Sequence, residues 1–316
     1  MKIFTIVFCT FALRYTSRFL MAVKNTYFLI LALFIFTSSS AQFSLCYNLK
    51  KNDVFEVKQE ATQIISQELS TDENQEITNK IEGVIRFSVK DVQTDQYTIE
   101  MQFLDLKLNM SSNSVGNIID IDAHKVNPED PQSRIFNGIL NFPITFSMKK
   151  DGNIISVDGG DALVANMLAA ANIEDEFTLE LMKTSLKNDF GSEALAESYK
   201  QMTYFYPNQM VNVKDTWENN YNGELTACNV WELTAINDDE AHLMAKGTVT
   251  MAIENPGVLM SLKGEQQIEL TTNTTNGFLK NMVINSTAKG NSKVEQLGEA
   301  SIPTTIKSKI TYNLIK

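Results

Sequence analysis

Apolar and polar residues alternate with a period of two along most of the chain, the pattern of strands with one buried face. From Ala241 to Ile253, every second residue is apolar or small, and most of the residues between them are polar. The C-terminal segment from Ile306 to Leu314 alternates in a similar way. The pattern predicts long antiparallel strands.

One alternating run changes phase in its middle. Apolar residues occupy every second position in 97–103, and from Leu104 onwards they occur one step out of phase. Such a slip predicts a β-bulge or a bend. Two dipeptides, Asp151-Gly152 and Asn276-Gly277, each lie between two alternating runs. They predict tight hairpin turns.

The period changes between about residues 160 and 203. Residues 161–171 are rich in Ala, Leu and Met, Asp175 is a suitable helix start, and Gly191-Ser192 separates a further helical run. Helices this short are marginal alone, so they must bury their apolar stripes against the sheet. We therefore predict an α+β fold, predominantly antiparallel β, with a strongly curved sheet or half-barrel and a short helical insertion (about 160–203) packed on it.

The β-rich segments on either side of the helical segment 159–204 resemble each other. Residues 87–101 align without a gap on residues 231–245. We predict that residues 42–316 form one β-rich domain. The similarity indicates either two pseudo-repeats, 42–158 and 205–316, or chance alternation in two β meanders.

The first 41 residues have the features of a secretory signal peptide. They contain four basic and no acidic residues, an apolar run at 27–36, and small residues before a cleavage site at Ala41. The run is about half of the ~20 residues that a transmembrane helix needs, so we expect no retained span. A start at Met21 would give a more ordinary length. We expect an exported protein, periplasmic or extracellular.

The charge balance limits the classes of molecule that the protein can bind. With 27 basic and 38 acidic residues the formal net charge is −11, and removal of the leader makes it −15. An acidic surface repels phosphate backbones, so we expect no nucleic-acid partner.

Motifs for most kinds of catalysis are absent. The sequence has no nucleophile elbow, phosphate-binding glycine loop, dinucleotide fingerprint or HExxH motif. His124 lies in a loop rich in oxygen ligands, but the spacing of an EF-hand is missing. We expect no catalytic residue, no cofactor, no metal site and no enzymatic activity. A pair of carboxylates remains an alternative, because its separation is set only in three dimensions.

Two groups of residues are candidates for a site or a bond. The rings of Tyr204, Phe205, Tyr206 and Trp217 could form the mouth of a ligand pocket, or a helix-to-strand junction packed into the core. Cys46 and Cys228 could pair as a disulfide in an oxidising compartment, or remain separate buried thiols.

Three segments carry a resemblance to a known family: Tyr47–Phe55, Tyr206-Pro207 and Val211–Trp217. They resemble motifs of a family of uncharacterised, exported, β-rich proteins of the Bacteroidota. The pattern of that family has glycine where this chain has Asn52 and Lys214. The resemblance implies export and a β-rich fold, and it implies no activity.

Three functions follow in order of preference. The first is an exported, non-catalytic binding protein that holds a lipid or other hydrophobic ligand between sheet and helices; the 13 Met residues suit an adaptable apolar interior. The second is a structural or assembly module of the cell envelope that binds another envelope protein. The third is a carboxylate-based hydrolase.

Overall fold

One antiparallel sheet of twelve strands dominates the computed structural model, which describes residues 42–70, 73–223, 225–255, 257–295 and 300–316. The predicted signal peptide lies outside the described residues. The strands are β1 (Val54–Ser70), β2 (Glu73–Val92), β3 (Gln96–Ser112), β4 (Gly116–Asp122), β5 (Ile144–Lys149), β6 (Ile154–Asp158), β7 (Thr216–Tyr221), β8 (Leu225–Ile236), β9 (Glu240–Asn255), β10 (Val258–Asn273), β11 (Leu279–Val294) and β12 (Ile302–Leu314). The helices are α1 (Pro131–Asn137), α2 (Gly160–Ala171), α3 (Glu176–Phe190) and α4 (Ser192–Thr203).

Strands β1 to β6 extend the sheet from its middle to one edge, and strands β7 to β12 extend it from the opposite edge back to the middle. The strand order is β6-β5-β3-β2-β1-β12-β11-β10-β9-β8-β7, with β4 paired to the part of β3 that β5 leaves free. Helices α2 to α4 connect the two edges, and α4 contacts both edge strands, β6 and β7. The predicted α+β fold is confirmed: an antiparallel sheet, not closed into a barrel, carries the helical insertion at 160–203.

The predicted phase slip in β3 is a bulge. Val84 of β2 pairs with Asp105, whereas the next residue, Ile85, pairs with Phe103. Leu104 is therefore the extra residue. The inserted residue moves the inward-facing positions from odd to even numbers, so that Phe103 and Leu106 are both buried.

The two predicted hairpins are present, but their loops are longer than two residues. The loop between β10 and β11 runs from Thr274 to Phe278, and only its glycine, Gly277, has a positive φ, of 71°. A Cβ on Gly277 would lie 2.3 Å from the backbone oxygen of Cys46. Glycine is thus required here because the N-terminal segment passes directly over the loop.

Two turns of equal geometry lead into β1 and β7, the first strands of the two halves. In the first turn, the backbone N–H of Lys50 donates to Asp53 Oδ2 at 2.7 Å. In the second, the N–H of Asn212 donates to Asp215 Oδ2, also at 2.7 Å. The predicted duplication of the halves stays a prediction, and this correspondence supports it.

The same turns place two residues in the left-handed region. Asn52 has a φ of 73° and Lys214 a φ of 77°. Their backbone N–H groups donate to equivalent residues, Val89 at 2.9 Å and Leu233 at 2.7 Å. Glycine adopts this conformation most readily, and these are the two positions at which the resembling family has glycine.

The core has two parts on the face of the sheet where the helices lie, here called the inner face. The main cluster joins that face to the helices and to the N-terminal segment around Tyr47. A smaller cluster has one buried residue from each of six adjacent strands, β7 to β12, with Tyr204 packed against it. Burial of side chains from so many neighbouring strands reflects strong curvature. Its members are Tyr221, Ala227, Val249, Leu262, Ala288 and Ile306.

Candidate functional site

An apolar pocket, here called the inner pocket, opens on the inner face between the middle of the sheet and α1. Its volume is about 380 Å³, within the range of about 300–1,000 Å³ typical of small-molecule sites. Strands β1, β2, β3 and β12 form its floor, and residues of β4 and α1 border it. The apolar lining consists of Ala61, Ile81, Leu108, Met110, Ile119, Phe136 and Ile310.

Strand register explains why space remains there. Ala61 pairs with Ile81 on one side and with Ile310 on the other, and Ile81 pairs with Leu108. Paired residues point to the same face of a sheet, so these four form one row across β12, β1, β2 and β3. The small side chain of Ala61 between two isoleucines leaves a gap in the row.

A polar row borders the apolar one. Gln63 pairs with Asn79 and with Ser308, two residues further along the same strands. The Nδ2 group of Asn79 donates to Gln63 Oε1 at 3.2 Å. The Oδ1 atom of Asn79 is shielded from solvent and has no hydrogen-bond partner. An unpaired buried acceptor costs about 1–3 kcal/mol, so a hydrogen-bond donor that reached this oxygen would be bound favourably.

Helix α1, which supplies Phe136, was missed by the sequence analysis. Its N-cap is Asp130, whose side chain accepts from the N–H of Gln132 at 3.0 Å, and Pro131 follows at the first position of the helix. Asp-Pro is a typical helix start, so the local sequence contains a signal for α1. Arg134 donates to the oxygen of Ala171 and so ties α1 to the end of α2.

The four rings that are candidates for the mouth of a ligand pocket lie in a packed helix-to-strand junction, which is the second interpretation of their sequence pattern. Phe205, Tyr206 and Trp217 belong to the main cluster, and Tyr204 packs against the smaller one. The indole Nε1–H of Trp217 donates to Phe205 O at 2.9 Å, and Tyr206 Oη donates to Gly277 O at 2.7 Å. None of these four rings lines the inner pocket.

Burial dominates the titration of the junction. It raises the pKa of the Tyr206 hydroxyl well above its ordinary value, and the pKa of Tyr47 likewise. Both hydroxyls are therefore permanent hydrogen-bond donors at neutral pH, and Tyr47 donates to Thr203 O at 3.0 Å. The bond from Tyr47 holds the end of α4 against the N-terminal segment.

Cys46 and Cys228 are free, half-buried thiols in separate elements. Cys46 lies in the N-terminal segment beside the loop of Gly277, whereas Cys228 lies within β8, paired with Asn220 and Thr248. The structure therefore has no disulfide bond between Cys46 and Cys228.

His124 and the carboxyl groups are the charged side chains to consider for catalysis or metal binding. His124 donates through Nε2 to Leu104 O at 2.9 Å and lies 3.6 Å from Asp105 Oδ1. In the part of the chain that is described, no group of three or more His, Cys, Asp or Glu residues is arranged to hold a metal. Among the described residues, four carboxyl groups have shifted pKa values, all of them lowered: Glu56, Asp122, Asp175 and Glu240.

Among the described residues there is no helix with both the length and the apolar character that crossing a bilayer requires.

Similarity to solved structures is distant. A structure titled "Lipid-protein interactions in lipovitellin" has a TM-score of 0.47 and 10% identity over 85% of this chain, which spans only 26% of the lipovitellin chain. DynF from the dynemicin biosynthesis pathway of Micromonospora chersina has a TM-score of 0.22 and 6% identity, over 88% of this chain and 85% of its own. No curated protein matches the chain. Similarity at this level assigns no function.

Residues 94–279 match a family described as "Family of unknown function (DUF6263)". The match covers more than half of the chain. It includes the segments Tyr206-Pro207 and Val211–Trp217 on which the resemblance to an uncharacterised family was based, and it begins after the segment Tyr47–Phe55. The chain belongs to the DUF6263 family, a family of unknown function.

Proposed function

We propose that the protein is a non-catalytic binding protein that holds a hydrophobic ligand, such as the acyl chain of a lipid, in the inner pocket. The observation that carries the proposal is a pocket of about 380 Å³ with apolar walls between the sheet and α1. Burial of each methylene contributes about 0.8 kcal/mol, so a medium-length chain gains enough free energy to offset the entropy of association.

Two observations favour this function over the alternatives. An assembly module that pairs with its partner through a strand edge would need a long accessible one, but the edge strands β4, β6 and β7 have only 7, 5 and 6 residues, and α4 packs on β6 and β7. A carboxylate hydrolase needs an acid with a raised pKa, whereas the shifted carboxyl groups of the described residues have lowered values. Export to the periplasm or beyond, inferred from residues 1–41, remains part of the proposal.

The proposal is tested by filling the pocket. Ala61→Phe places a ring in the gap between Ile81 and Ile310, and Ala252→Phe, at an exposed position of β9, is the matched control. Titration of the full-length protein with the neutral dye Nile red should give equal dissociation constants for wild type and Ala252→Phe. Binding to Ala61→Phe should be at least about tenfold weaker. Equal binding to all three proteins would exclude the inner pocket as the site.

A further inference from the structure

The polar side chains that the inner face contributes to the border of the inner pocket are uncharged, and one of their atoms lacks a partner. We propose that the ligand carries a neutral head group that donates a hydrogen bond, such as an alcohol or an amide, and that Asn79 and Gln63 bind it. This inference rests on the proposed function and names the class of ligand.

The first argument is the geometry of the amide pair. Asn79 Nδ2 donates to Gln63 Oε1 at 3.2 Å, which uses one donor and one acceptor of the pair. Asn79 Oδ1 is left as a buried acceptor without a partner, and Gln63 keeps its own NH₂ group as a donor. With a small rotation of the Asn79 amide towards the pocket, a hydroxyl group can donate to the first and accept from the second. An alkyl chain attached to it would lie along the apolar row of Ala61.

The second argument is the separation of charge between the two faces of the sheet. The polar residues on the inner face around the pocket, Gln59, Gln63, Asn79 and Ser308, are all uncharged. Charged residues occupy intervening positions that alternate to the outer face, as Lys58, Glu60, Glu82, Lys307 and Lys309 do.

The charged residue at the border of the pocket follows the same rule. Among the described lining residues Lys80 alone is charged, and it is adjacent to Asn79 in β2, so its side chain points to the opposite face. A charged head group would therefore lose its hydration without gaining a counter-charge. The pocket should select against fatty-acid anions and in favour of neutral amphiphiles.

The inference is tested with three probes that share one twelve-carbon chain. Full-length protein is titrated by calorimetry at pH 8 with 1-monolaurin, methyl laurate and laurate. Monolaurin is neutral and has hydroxyl donors, methyl laurate is neutral without a donor, and laurate is an anion. We expect monolaurin to bind about tenfold more tightly than methyl laurate, because only monolaurin satisfies Asn79 Oδ1, and laurate to bind most weakly.

Two variants assign the selectivity to Asn79. Asn79→Leu removes the unpaired acceptor, so the ratio of the monolaurin and methyl laurate dissociation constants should fall from about ten to about one. The control is Asn281→Leu, which breaks an amide pair on the outer face, where Asn281 Nδ2 donates to Asn313 Oδ1 at 2.6 Å. It should leave the ratio unchanged. Asn79→Asp retains an acceptor at nearly constant size, so it should keep the preference for monolaurin and weaken laurate binding further.

The outcomes separate the two proposals. Laurate bound as tightly as monolaurin by wild type, or an unchanged ratio in Asn79→Leu, would overturn the neutral head group and leave the hydrophobic site standing. If Asn79→Leu fails to fold, Asn79→Asp decides instead: it keeps an acceptor, so loss of its preference for monolaurin over methyl laurate overturns the inference. If none of the three probes binds wild type, the proposed function itself fails.

Discussion

The first two strands of each half pair in the same register, but their inner faces differ. In the first half Phe55 pairs with Phe87, and the next inward pair is Val57 with Ile85. In the second half Trp217 pairs with Trp231, and the next inward pair is Asn219 with Asn229. All eight side chains are buried. One backbone frame thus accepts either an apolar pair or a pair of amides beside the same kind of aromatic pair.

The amide pair of the second half has a structural task. Asn219 Nδ2 donates to Tyr204 O at 2.9 Å, and Tyr221 Oη donates to the same oxygen at 2.6 Å. Asn229 Oδ1 accepts from Gln266 Nε2 at 2.7 Å. The two bonds to Tyr204 O tie the chain leaving α4 to β7, and the third joins β10 to β8. The comparison teaches that buried polar residues here mark where an irregular segment meets the sheet.

The largest effect should come from the aromatic pair. Trp231→Ala removes a fully buried indole that faces the ring of Phe205 at a centroid distance of 6.0 Å. We expect the free energy of unfolding to fall by about 3–5 kcal/mol, measured by urea denaturation. The neighbouring side chain of Val230 is 44% exposed, so Val230→Ala should change stability by less than about 0.5 kcal/mol. Similar losses in both variants would contradict the central place of Trp231 in the core.

Exchanging the second pair between the halves should be costly in both directions. Val57→Asn buries an amide among apolar groups without a partner, and Asn219→Val removes a donor from Tyr204 O. Each should lower the free energy of unfolding by about 1–3 kcal/mol. A neutral result for Asn219→Val in urea denaturation would show that Tyr221 alone satisfies that oxygen.

A smaller effect of opposite sign is expected at the two left-handed turn residues. Lys214→Gly removes the steric cost of a positive φ, about 1–2 kcal/mol, and adds the backbone entropy of glycine, about 0.5–1 kcal/mol. We expect a net gain of about 0.5–1 kcal/mol for Lys214→Gly, seen as a higher melting temperature. The gain for Asn52→Gly should be smaller, because asparagine tolerates the left-handed region. Lys50→Gly, outside that region, should not stabilise.

The smallest effect concerns pH. The hydrogen bond from Arg86, with Arg86 Nη2 2.8 Å from Glu56 Oε1, lowers the pKa of Glu56. Because the folded pKa lies below the unfolded value, the pair stabilises the protein above about pH 4.3, and this contribution is lost as the pH falls through the folded pKa.

The second half provides the comparison for this pair. There the corresponding residues are Glu218 and Val230, which cannot form an ion pair. Arg86→Val should therefore lower stability at pH 7 by less than about 1 kcal/mol and have little effect at pH 3, as measured by thermal unfolding. An equal loss at both pH values would assign the role of Arg86 to packing.

Local patterns were sufficient to predict the strands, the bulge at Leu104 and the helical insertion, because each depends on the spacing of nearby residues. The inner pocket could not be predicted in this way. Its gap arises where Ala61 meets Ile310, a contact set by the pairing of β1 with β12. The aromatic cluster at 204–206 has a clear local signature, but the direction that the rings of Phe205 and Tyr206 face depends on packing against Tyr47. Local spacing predicted the elements, and long-range register determined the site.

The pairing of β1 with β12 also bears on how the molecule forms. The earliest and latest strands of the described chain meet in the middle of the sheet, so the floor of the inner pocket is unfinished until nearly the whole polypeptide is available. Contacts of such high sequence separation form slowly. Until they form, the nascent chain exposes two unpaired ladders, and a truncated product without β12 would be left as two half-sheets prone to self-association.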